Sequence, residues 1–526
     1  MKYPTVYSLF TDRIRKYTDA AHPKDVFYFR SRDRWQGISW KRFEQETFDF
    51  ATALLSLGLK RGGSVCILMG NVPEWPISDI GTITAGGVGV GLYPTSSAEQ
   101  IAYIIDHSDA EFVLVHTRRQ LEKVISIRDR LRKVRHIIAL DASSPDVISY
   151  RDFVERGHAE RSRLAPLLKE RAEGAKPDDV AIMVYTSGTT GHPKGACLSH
   201  RYIINSVESL RQTIPIYDTD VSFSYLPFCH VAERISGLYN RLYAGASAYF
   251  VDDLARLGEY MLEVRPTVFA SLPRFFEKIH AQAVLDGTAQ IKDYFGGRIR
   301  LATSGGAPLP LEVAQFFADA GLPILQAYGL TENVCVAFNR PDKYKFGTVG
   351  PAMPGCEIRI AADNEILVRS EMMFSGYYKA PDETAKMFAD GWLLTGDLGE
   401  LDDDGFLKII GRKKELIVTS TGKKVSPALL ENMLREHHFI SQALVYGEGR
   451  SYLVALITLN AAAEREQVQS IIDAVNRRVS STESIKRFAI LDRDFEIARD
   501  EITPTGKLKR DVITNRFREV IDELYS

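Results

Sequence analysis

The 526-residue sequence lacks a large net charge of either sign, since 66 lysines and arginines against 68 aspartates and glutamates leave a formal charge of −2. A balanced chain offers no electrostatic attraction to DNA or RNA, so we expect no nucleic-acid partner. The five cysteines include no Cys-x-x-Cys pair, which is typical of buried thiols in a reducing compartment. No run approaches the roughly 18 uninterrupted apolar residues of a membrane span. The N-terminal segment 1–21 is interrupted by charges, as in an amphipathic helix and unlike a signal peptide. We therefore expect a cytoplasmic protein. The sequence is compatible with a monomer and with a homodimer, and also with peripheral membrane contact.

Hydrophobic residues make up 45% of the chain and charged residues 25%, as in soluble globular proteins. Up to about residue 410, apolar runs such as SVCILMG (64–70) alternate with longer amphipathic stretches such as 39–59. This alternation predicts an α/β fold with mostly parallel sheets flanked by helices. From about Trp392, short strands and acidic, glycine-containing turns follow, which predicts a smaller α+β unit. We predict a large N-terminal domain over residues 1–411 and a small C-terminal domain over residues 412–526.

The segment TSGTTGHPKG (186–195) combines three glycines, four hydroxyl residues and a lysine between a predicted strand and a predicted helix. The glycines let several backbone N–H groups converge, and the hydroxyls and the lysine add donors and charge, which suits a polyphosphate. The spacing is not that of the G-x-x-x-x-G-K-[ST] loop. A structural turn is the alternative, but a plain turn needs only two or three such residues. We predict phosphate binding by Thr186, Ser187, Gly188, Thr189, Thr190, Gly191 and Lys194.

Five motifs in order resemble the signatures of the adenylate-forming (AMP-binding) superfamily. They are TSGTTGHPKG, QAYGLTEN (326–333), TGD (395–397), GRKKELIVTSTGKKVSP (411–427) and PTGKLKR (504–510). The resemblance covers nearly the whole chain. It implies a large adenylation domain that binds ATP and an acyl group, and a small mobile lid domain that turns about a hinge at Lys414. It also implies ATP, Mg²⁺ and coenzyme A as cofactors and co-substrates.

The resemblance changes the interpretation of two loops in the large domain. Considered alone, AYGLTE (327–332) indicates a helix start and TSGGAPLP (303–310) a tight turn after a strand. The resemblance instead implies that the Tyr328 ring stacks on adenine and that Glu332, with Thr186, holds magnesium. The other small residues of these loops would line the nucleotide pocket: Gly305, Gly306, Ala307, Ala327, Gly329 and Thr331.

The charged motifs near the C-terminus are interpreted in the same way. By composition alone, the lysines of GRKK (411–414) and PTGKLKR indicate solvated surface charge. The resemblance implies that Asp397 and Arg412 bind the ribose hydroxyls and that Lys507 is the catalytic lysine, which counters charge on the acid and the α-phosphate. After a rotation about Lys414, coenzyme A would meet the turn residues Gly422, Lys423 and Lys424.

Two segments, SYLPFCHVAERISG (224–237) and RPTVFASLPRFFEKI (265–279), resemble motifs of long-chain fatty acyl-CoA synthetases. This implies that His230, as a catalytic residue, lies between the nucleotide and acyl sites, although an isolated histidine is more often structural. The hinge motif lacks the insertion that fatty acyl-AMP ligases carry, which favours coenzyme A as the acceptor. We predict an ATP-dependent ligase that joins a medium- or long-chain fatty acid to coenzyme A. The alternatives are transfer to a carrier protein or another acceptor, a non-fatty carboxylic acid, and a nucleotide-binding regulator without turnover.

Overall fold

The structure is a computed structural model that describes residues 2–18, 24–141, 144–186, 193–287, 290–437, 439–460, 464–481, 483–503 and 506–526. Its α-helices are α1 (Val6–Thr18), α2 (Trp40–Ser56), α3 (Glu74–Thr84), α4 (Ala98–His107), α5 (Arg118–Ser126), α6 (Tyr150–Glu173), α7 (His200–Thr213), α8 (Asn240–Ala244), α9 (Leu257–Val264), α10 (Pro273–Asp286), α11 (Leu311–Asp319), α12 (Pro381–Ala385), α13 (Pro427–Arg435), α14 (Arg465–Asn476), α15 (Arg510–Arg516) and α16 (Arg518–Glu523).

Its strands are β1 (Asp25–Ser31), β2 (Arg34–Ser39), β3 (Ser64–Leu68), β4 (Val88–Gly91), β5 (Ala110–Val115), β6 (His136–Ala139), β7 (Ile148–Ser149), β8 (Val180–Thr186), β9 (Lys194–Ser199), β10 (Val221–Ser224), β11 (Ser247–Phe250), β12 (Val268–Ser271), β13 (Leu301–Gly305), β14 (Ile324–Leu330), β15 (Asn333–Phe338), β16 (Cys356–Ile360), β17 (Glu365–Ser370), β18 (Gly376–Tyr377), β19 (Phe388–Ala389), β20 (Trp392–Leu401), β21 (Leu407–Arg412), β22 (Ile417–Val418), β23 (Lys424–Val425), β24 (Ile440–Tyr446), β25 (Leu453–Leu459) and β26 (Ile485–Ile490).

The largest sheet has eight strands in the order β18-β9-β8-β4-β3-β5-β6-β7, and the six from β8 to β7 run parallel. Helices cover both of its faces. In β3, Val65 and Ile67 belong to the apolar cluster that includes α2, α3 and α6, whereas Cys66 and Leu68 belong to the one that includes α4 and α5. Burial on both faces explains why this strand is an uninterrupted apolar run. The prediction of a parallel sheet between helices is confirmed.

Two four-stranded sheets complete the parallel part, in the orders β10-β11-β1-β2 and β12-β13-β14-β15. Only the edge strands β2 and β15 run antiparallel to their neighbours within these two sheets. Strands β13 and β14 end side by side, with Gly305 opposite Ala327 in the register. The loops at the carboxyl ends of these strands therefore lie together, where α/β sheets usually bind ligands.

The glycine- and hydroxyl-rich segment differs from the prediction in its immediate surroundings. We expected it to join a strand directly to a helix, but it joins β8 to the antiparallel strand β9, with Thr186 opposite Lys194. Helix α7 begins only at His200, where the Ser199 hydroxyl accepts a hydrogen bond from the Tyr202 amide. The prediction missed β9 because the strand is short and mixes polar with apolar residues. It therefore shows neither an alternation of the two nor a continuous apolar run.

Apart from β18, which pairs with β9, the strands between residues 356 and 412 form an antiparallel sheet of five strands: β16, β17, β20, β19 and β21. Beyond it, β24, β25 and β26 form a three-stranded sheet with α13 and α14 in the apolar cluster of one face and α15 and α16 in that of the other. The smaller α+β unit is thus confirmed. Arg412 is the last residue of β21, so the predicted domain boundary falls where the five-stranded sheet ends. The boundary itself stays a prediction.

All five cysteines are buried free thiols, as the composition predicted. Among the described residues, none of the helices is both long enough and apolar enough to cross a membrane.

Candidate active site

One corner of the site is formed by Asp397, Arg412 and Tyr328. Asp397 on β20 lies opposite Arg412 on β21, and the Arg412 Nε donates to Asp397 Oδ1 at 2.9 Å. The Tyr328 hydroxyl donates to Asp397 Oδ2 at 2.6 Å. Burial and the Asp397 charge raise the pKa of Tyr328, which keeps the phenol protonated as a donor. The structure therefore brings the predicted ribose and adenine residues into one hydrogen-bonded group, with an ionised carboxylate able to accept from sugar hydroxyls.

The small residues predicted to line the nucleotide pocket lie on neighbouring strands. Gly306, directly after β13, has φ +80°, a left-handed conformation in which a side chain would be strained. A Cβ at Gly329 would lie 2.1 Å from the Val334 carbonyl oxygen. Ala307 lies beyond Gly306 on the exposed side of the loop. Gly329 thus permits a close approach of the neighbouring backbone, and Gly306 permits the turn that follows β13.

The AYGLTE segment forms a strand and a tight connection, and the helix start that its composition alone indicates is wrong. Strand β14 ends at Leu330, and β15 begins at Asn333, with Leu330 paired to Asn333. The Thr331 carbonyl accepts a hydrogen bond from the Tyr202 hydroxyl at 2.9 Å. The hairpin places the Glu332 side chain inside the protein, where it is 7% exposed.

Glu332 and Lys194 are held by residues that the sequence analysis did not identify. The Tyr377 hydroxyl donates a hydrogen bond to Glu332 Oε1. Lys194 Nζ lies 2.5 Å from Glu383 Oε2 and 5.2 Å from the centre of the Tyr377 ring. Hydrogen bonds from Lys194 and Lys386 lower the pKa of Glu383 to about 2. Both partners lie in the segment GYYKAPDET (376–384), which has two adjacent tyrosines and a helix that begins at a proline. The segment belongs to none of the motifs identified in the sequence.

Thr186 is the last residue of β8, next to Lys194 across the hairpin. Its neighbours Ser187, Gly188, Thr189, Thr190 and Gly191 lie outside the described residues, so their predicted phosphate contacts stay predictions. Within the described ranges, no group of three or more histidine, cysteine, aspartate or glutamate side chains is arranged to hold a metal ion. Magnesium bound mainly through substrate phosphates needs only one or two protein oxygens. The Glu332 carboxylate and the Thr186 hydroxyl are hard oxygen donors of that kind, so the residues fit.

Lys507 reaches the site from the C-terminal unit. The C-terminal hairpin that carries it is defined by an antiparallel bridge between Ile502 and Leu508 and by a hydrogen bond from the Thr503 amide to the Lys507 carbonyl at 2.8 Å. Lys507 is exposed to solvent at one side of the site. Burial and repulsion by Arg412 lower the pKa of Lys507, against attraction from Asp397 and Glu332. The structure thus brings the predicted catalytic lysine into the electrostatic range of the predicted ribose and metal residues.

His230 lies near the same lysine. Burial, with a smaller contribution from the Lys507 charge, lowers the pKa of His230 to about 4, so the imidazole is neutral at pH 7. Its Nδ1 accepts from the Ala232 amide at 3.2 Å, which leaves the proton of the neutral ring on Nε2. The position agrees with a place beside the reacting groups, but the catalytic role stays a prediction.

The two charged residues after His230 have structural partners. Arg234 forms a fully buried ion pair with Asp79 of α3, and the Tyr239 hydroxyl donates to the same carboxylate at 2.7 Å. Glu233 pairs with Arg241 at 2.5 Å. Glu233 and Arg234 lie on a π-helical stretch over Ala232–Tyr239, and Arg241 follows it on α8. We infer that this part of the motif anchors the segment that carries His230.

The predicted hinge and coenzyme A residues lie on the surface. Lys414 is exposed in a single 3₁₀ turn, Lys413–Glu415, directly after β21. Gly422, with φ +76°, turns the chain between β22 and β23, next to the exposed Lys423 and Lys424. In the described part of the chain neither of these two lysines forms an ion pair, and the structure does not bring them into contact with the nucleotide residues. Their roles stay predictions.

A contact between the two parts of the chain was also missed. Arg274 of α10 donates to the Ser441 hydroxyl at 2.9 Å and to Asn460 Oδ1 at 3.0 Å. Glu277, one turn further, accepts from Arg435 at 2.9 Å. These bonds join the large part to the unit that carries Lys507. Arg274 and Glu277 lie in the PRFFEKI motif, but only the tertiary structure shows where they point.

Comparisons with known proteins agree with this arrangement. The family model described as AMP-binding enzyme matches residues 14–378, and that of the AMP-binding enzyme C-terminal domain matches residues 414–526. The chain is 32% identical to the long-chain-fatty-acid–CoA ligase FadD15 of Mycobacterium bovis, over 96% of this chain and 95% of the relative. It is 30% identical to the long-chain-fatty-acid–CoA ligase ACSBG1 of Rattus norvegicus, over 99% of this chain and 85% of the relative.

A solved structure supports the fold. The anthranilate CoA ligase AuaEII, in complex with anthranoyl-AMP, superposes with a TM-score of 0.84 at 21% identity, over 99% of this chain and 98% of that one. At that identity the likeness shows the fold alone. The first family model spans more than half of the chain, and it agrees with the resemblance that the five motifs carry. This chain therefore belongs to the family of AMP-binding enzymes.

Proposed function

We propose that this protein is an AMP-forming acid–thiol ligase that activates a medium- or long-chain fatty acid with ATP and transfers the acyl group to coenzyme A. The observation that carries the proposal is the hydrogen-bonded Tyr328–Asp397–Arg412 group. Lys507, from the C-terminal unit, lies within electrostatic range of its Asp397 and Arg412. A nucleotide held by that group would present its phosphates to a cation that belongs to a separate unit. The names of the relatives support the choice of acid and acceptor.

A carboxylate is a poor electrophile, because its negative charge repels nucleophiles and its oxygen is a poor leaving group. In the first step a carboxylate oxygen attacks the α-phosphorus of ATP, the bond to the bridging oxygen breaks, and pyrophosphate leaves with the electron pair. The protein's task is to hold the reactants in line and to counter charge. Asp397 would fix the ribose, Lys194 would contact the outer phosphates, and Lys507 would lie between the acid and the α-phosphate.

Magnesium, held by Glu332 and Thr186 together with the phosphates, would supply neutralisation of the triphosphate charge. In the second step the thiolate sulfur of coenzyme A attacks the acyl carbon. The bond between that carbon and the AMP oxygen breaks, and AMP leaves with the electron pair. The neutral His230 adds no further positive charge beside Lys507. We further propose that a turn about Lys414 removes Lys507 and presents Gly422, Lys423 and Lys424 to coenzyme A.

The test measures AMP release with acids of graded chain length, each with free coenzyme A or with a holo carrier protein. We expect release to depend on the acid, to be greatest with a medium or long chain, and to yield an acyl-CoA thioester. Acylation of the carrier alone would support the carrier-loading alternative, and a preference for a short or aromatic acid would support a non-fatty substrate. No pyrophosphate exchange with any acid would leave only a nucleotide-binding regulator.

A further inference from the structure

The segment 374–378 runs between the hairpin that carries Glu332 and the strand that begins with Lys194. The Phe374 amide donates to the Glu332 carbonyl at 2.8 Å. On its other side, the Ser375 amide donates to the Cys197 carbonyl and the Tyr378 amide to the Gly195 carbonyl, both at 2.8 Å. Backbone hydrogen bonds on both sides therefore fix the position of Tyr377, which lies between Ser375 and Tyr378.

The side chain of Tyr377 uses its two polar features on two different charges. Its hydroxyl donates to the Glu332 carboxylate, and its ring face lies 5.2 Å from the Lys194 ammonium. The residue is buried, and its ring packs edge to face with that of Phe374, with centroids 4.9 Å apart. A ring face attracts a cation, and a phenol donates to a carboxylate, so both contacts have the favourable sign.

We propose that Tyr377 is a positioning residue that fixes Glu332 and Lys194 relative to each other, so that the metal-bound end and the lysine-bound end of one triphosphate are matched. This rests on the proposed function in one respect only, namely that the bound nucleotide is a metal complex of ATP. Neither contact needs the acid or coenzyme A. The coupling can therefore be tested by binding alone.

A tyrosine that only fills space would behave differently from one that positions two charges. Tyr377→Phe keeps the ring beside Lys194 and removes the bond to Glu332, whereas Tyr377→Leu removes both contacts. Tyr378→Phe is the matched control, because the Tyr378 hydroxyl donates to Asp109 at 2.9 Å, away from Glu332 and Lys194. Glu383→Gln serves as a second control, because it changes the ion pairs of Lys194 and Lys386 and leaves the Tyr377–Glu332 hydrogen bond in place.

The experiment titrates Mn²⁺ into the ATP complex of each full-length variant by electron paramagnetic resonance, and measures ATP affinity in EDTA by calorimetry. No acid is present, so no turnover occurs. We expect Tyr377→Phe to weaken Mn²⁺ binding by about 10-fold, the effect of losing one hydrogen bond to a charged group. Its metal-free ATP affinity should change less than about twofold, since the ring still faces Lys194.

Tyr377→Leu should weaken both affinities, Glu383→Gln should change only the metal-free ATP affinity, and Tyr378→Phe should change neither. Wild-type Mn²⁺ affinity in Tyr377→Phe would overturn the coupling, as would an equal loss in Tyr378→Phe. A wild-type protein that does not bind Mn²⁺ with ATP would also overturn it. Failure of the proposed function alone would leave these binding results intact, because it would show only as missing acyl-CoA product.

Discussion

The large part of the chain and the C-terminal hairpin hold their charged site residues in opposite ways. Asp397 is bonded to Arg412 and Tyr328 and is 4% exposed, and Lys194 is paired with Glu383. Lys507, by contrast, forms no ion pair among the described residues. Its pKa is lowered, whereas an ion pair with a carboxylate would raise the pKa of a lysine. Fixed partners preserve the geometry of a nucleotide site before the nucleotide binds. A cation without a fixed partner can leave the site at little cost, as the two proposed reactions in one pocket would require.

The largest expected effect comes from removing the unpaired cation. Lys507→Ala should lower kcat for adenylation about 10²- to 10³-fold, the range seen when one charge-stabilising donor is lost. Thioester formation from supplied acyl-AMP should remain within a few-fold. ATP–pyrophosphate exchange measures the first step, and coenzyme A-dependent consumption of acyl-AMP measures the second. An equal fall in both steps would contradict the separation of roles between the two regions.

Removing a paired charge should act on binding instead. Asp397→Asn should raise the KM for ATP about 10- to 100-fold, because a hydrogen-bonded charge is lost from a buried position, and should change kcat less. Asp404→Asn, in the exposed turn between β20 and β21, is the control and should have no effect on either constant. If Asp397→Asn lowered kcat at an unchanged KM, the carboxylate would belong to the chemistry and not to ribose binding.

The pH dependence should also distinguish the hairpin from the fixed site. In the proposed mechanism the charged form of Lys507 is the active one. Burial and repulsion by Arg412 lower the pKa of Lys507, so kcat/KM for ATP should fall at a lower alkaline pH than an ordinary lysine would allow. In Lys507→Arg the guanidinium stays protonated, and the alkaline limb should move upward by about one unit or more. Rate profiles of the two proteins between pH 7 and about 10.5, the range set by lysine titration, provide the measurement. Coincident profiles would assign the limb to another group.

The smallest expected effect concerns the contact between the two regions. Arg274→Ala removes the bonds to Ser441 and Asn460, and partly exposed polar contacts of this kind are worth about 0.2–1 kcal/mol. The adenylation step should therefore slow by about two- to fivefold, with no loss in the thioester step. Lys278→Ala, on the same helix but exposed and unpaired among the described ion pairs, should leave both steps unchanged. Slowing of both steps by Arg274→Ala would indicate general destabilisation.

The prediction of the fold succeeded for elements with a clear period and failed where partners are remote. Strand β3 and helix α2 follow from a buried apolar run and from an amphipathic repeat, because burial on two faces or on one imposes those patterns. Strand β9 and the hairpin after β14 did not follow. Both are short, and their pairing is decided by the strands beside them and not by local propensity.

The α/β class, the order of the five motifs and the family they indicate follow from the amino-acid sequence, because each motif is contiguous and its glycines, hydroxyls and lysines are neighbours in the chain. Which side chains form hydrogen bonds and ion pairs with one another is visible only in the folded structure. Tyr377 with Glu332, Glu383 with Lys194, and Arg274 with Ser441 are separated by 45, 189 and 167 residues. A contact of a few ångströms between such distant positions leaves no local period, so it emerges only when packed sheets and helices bring the strands together.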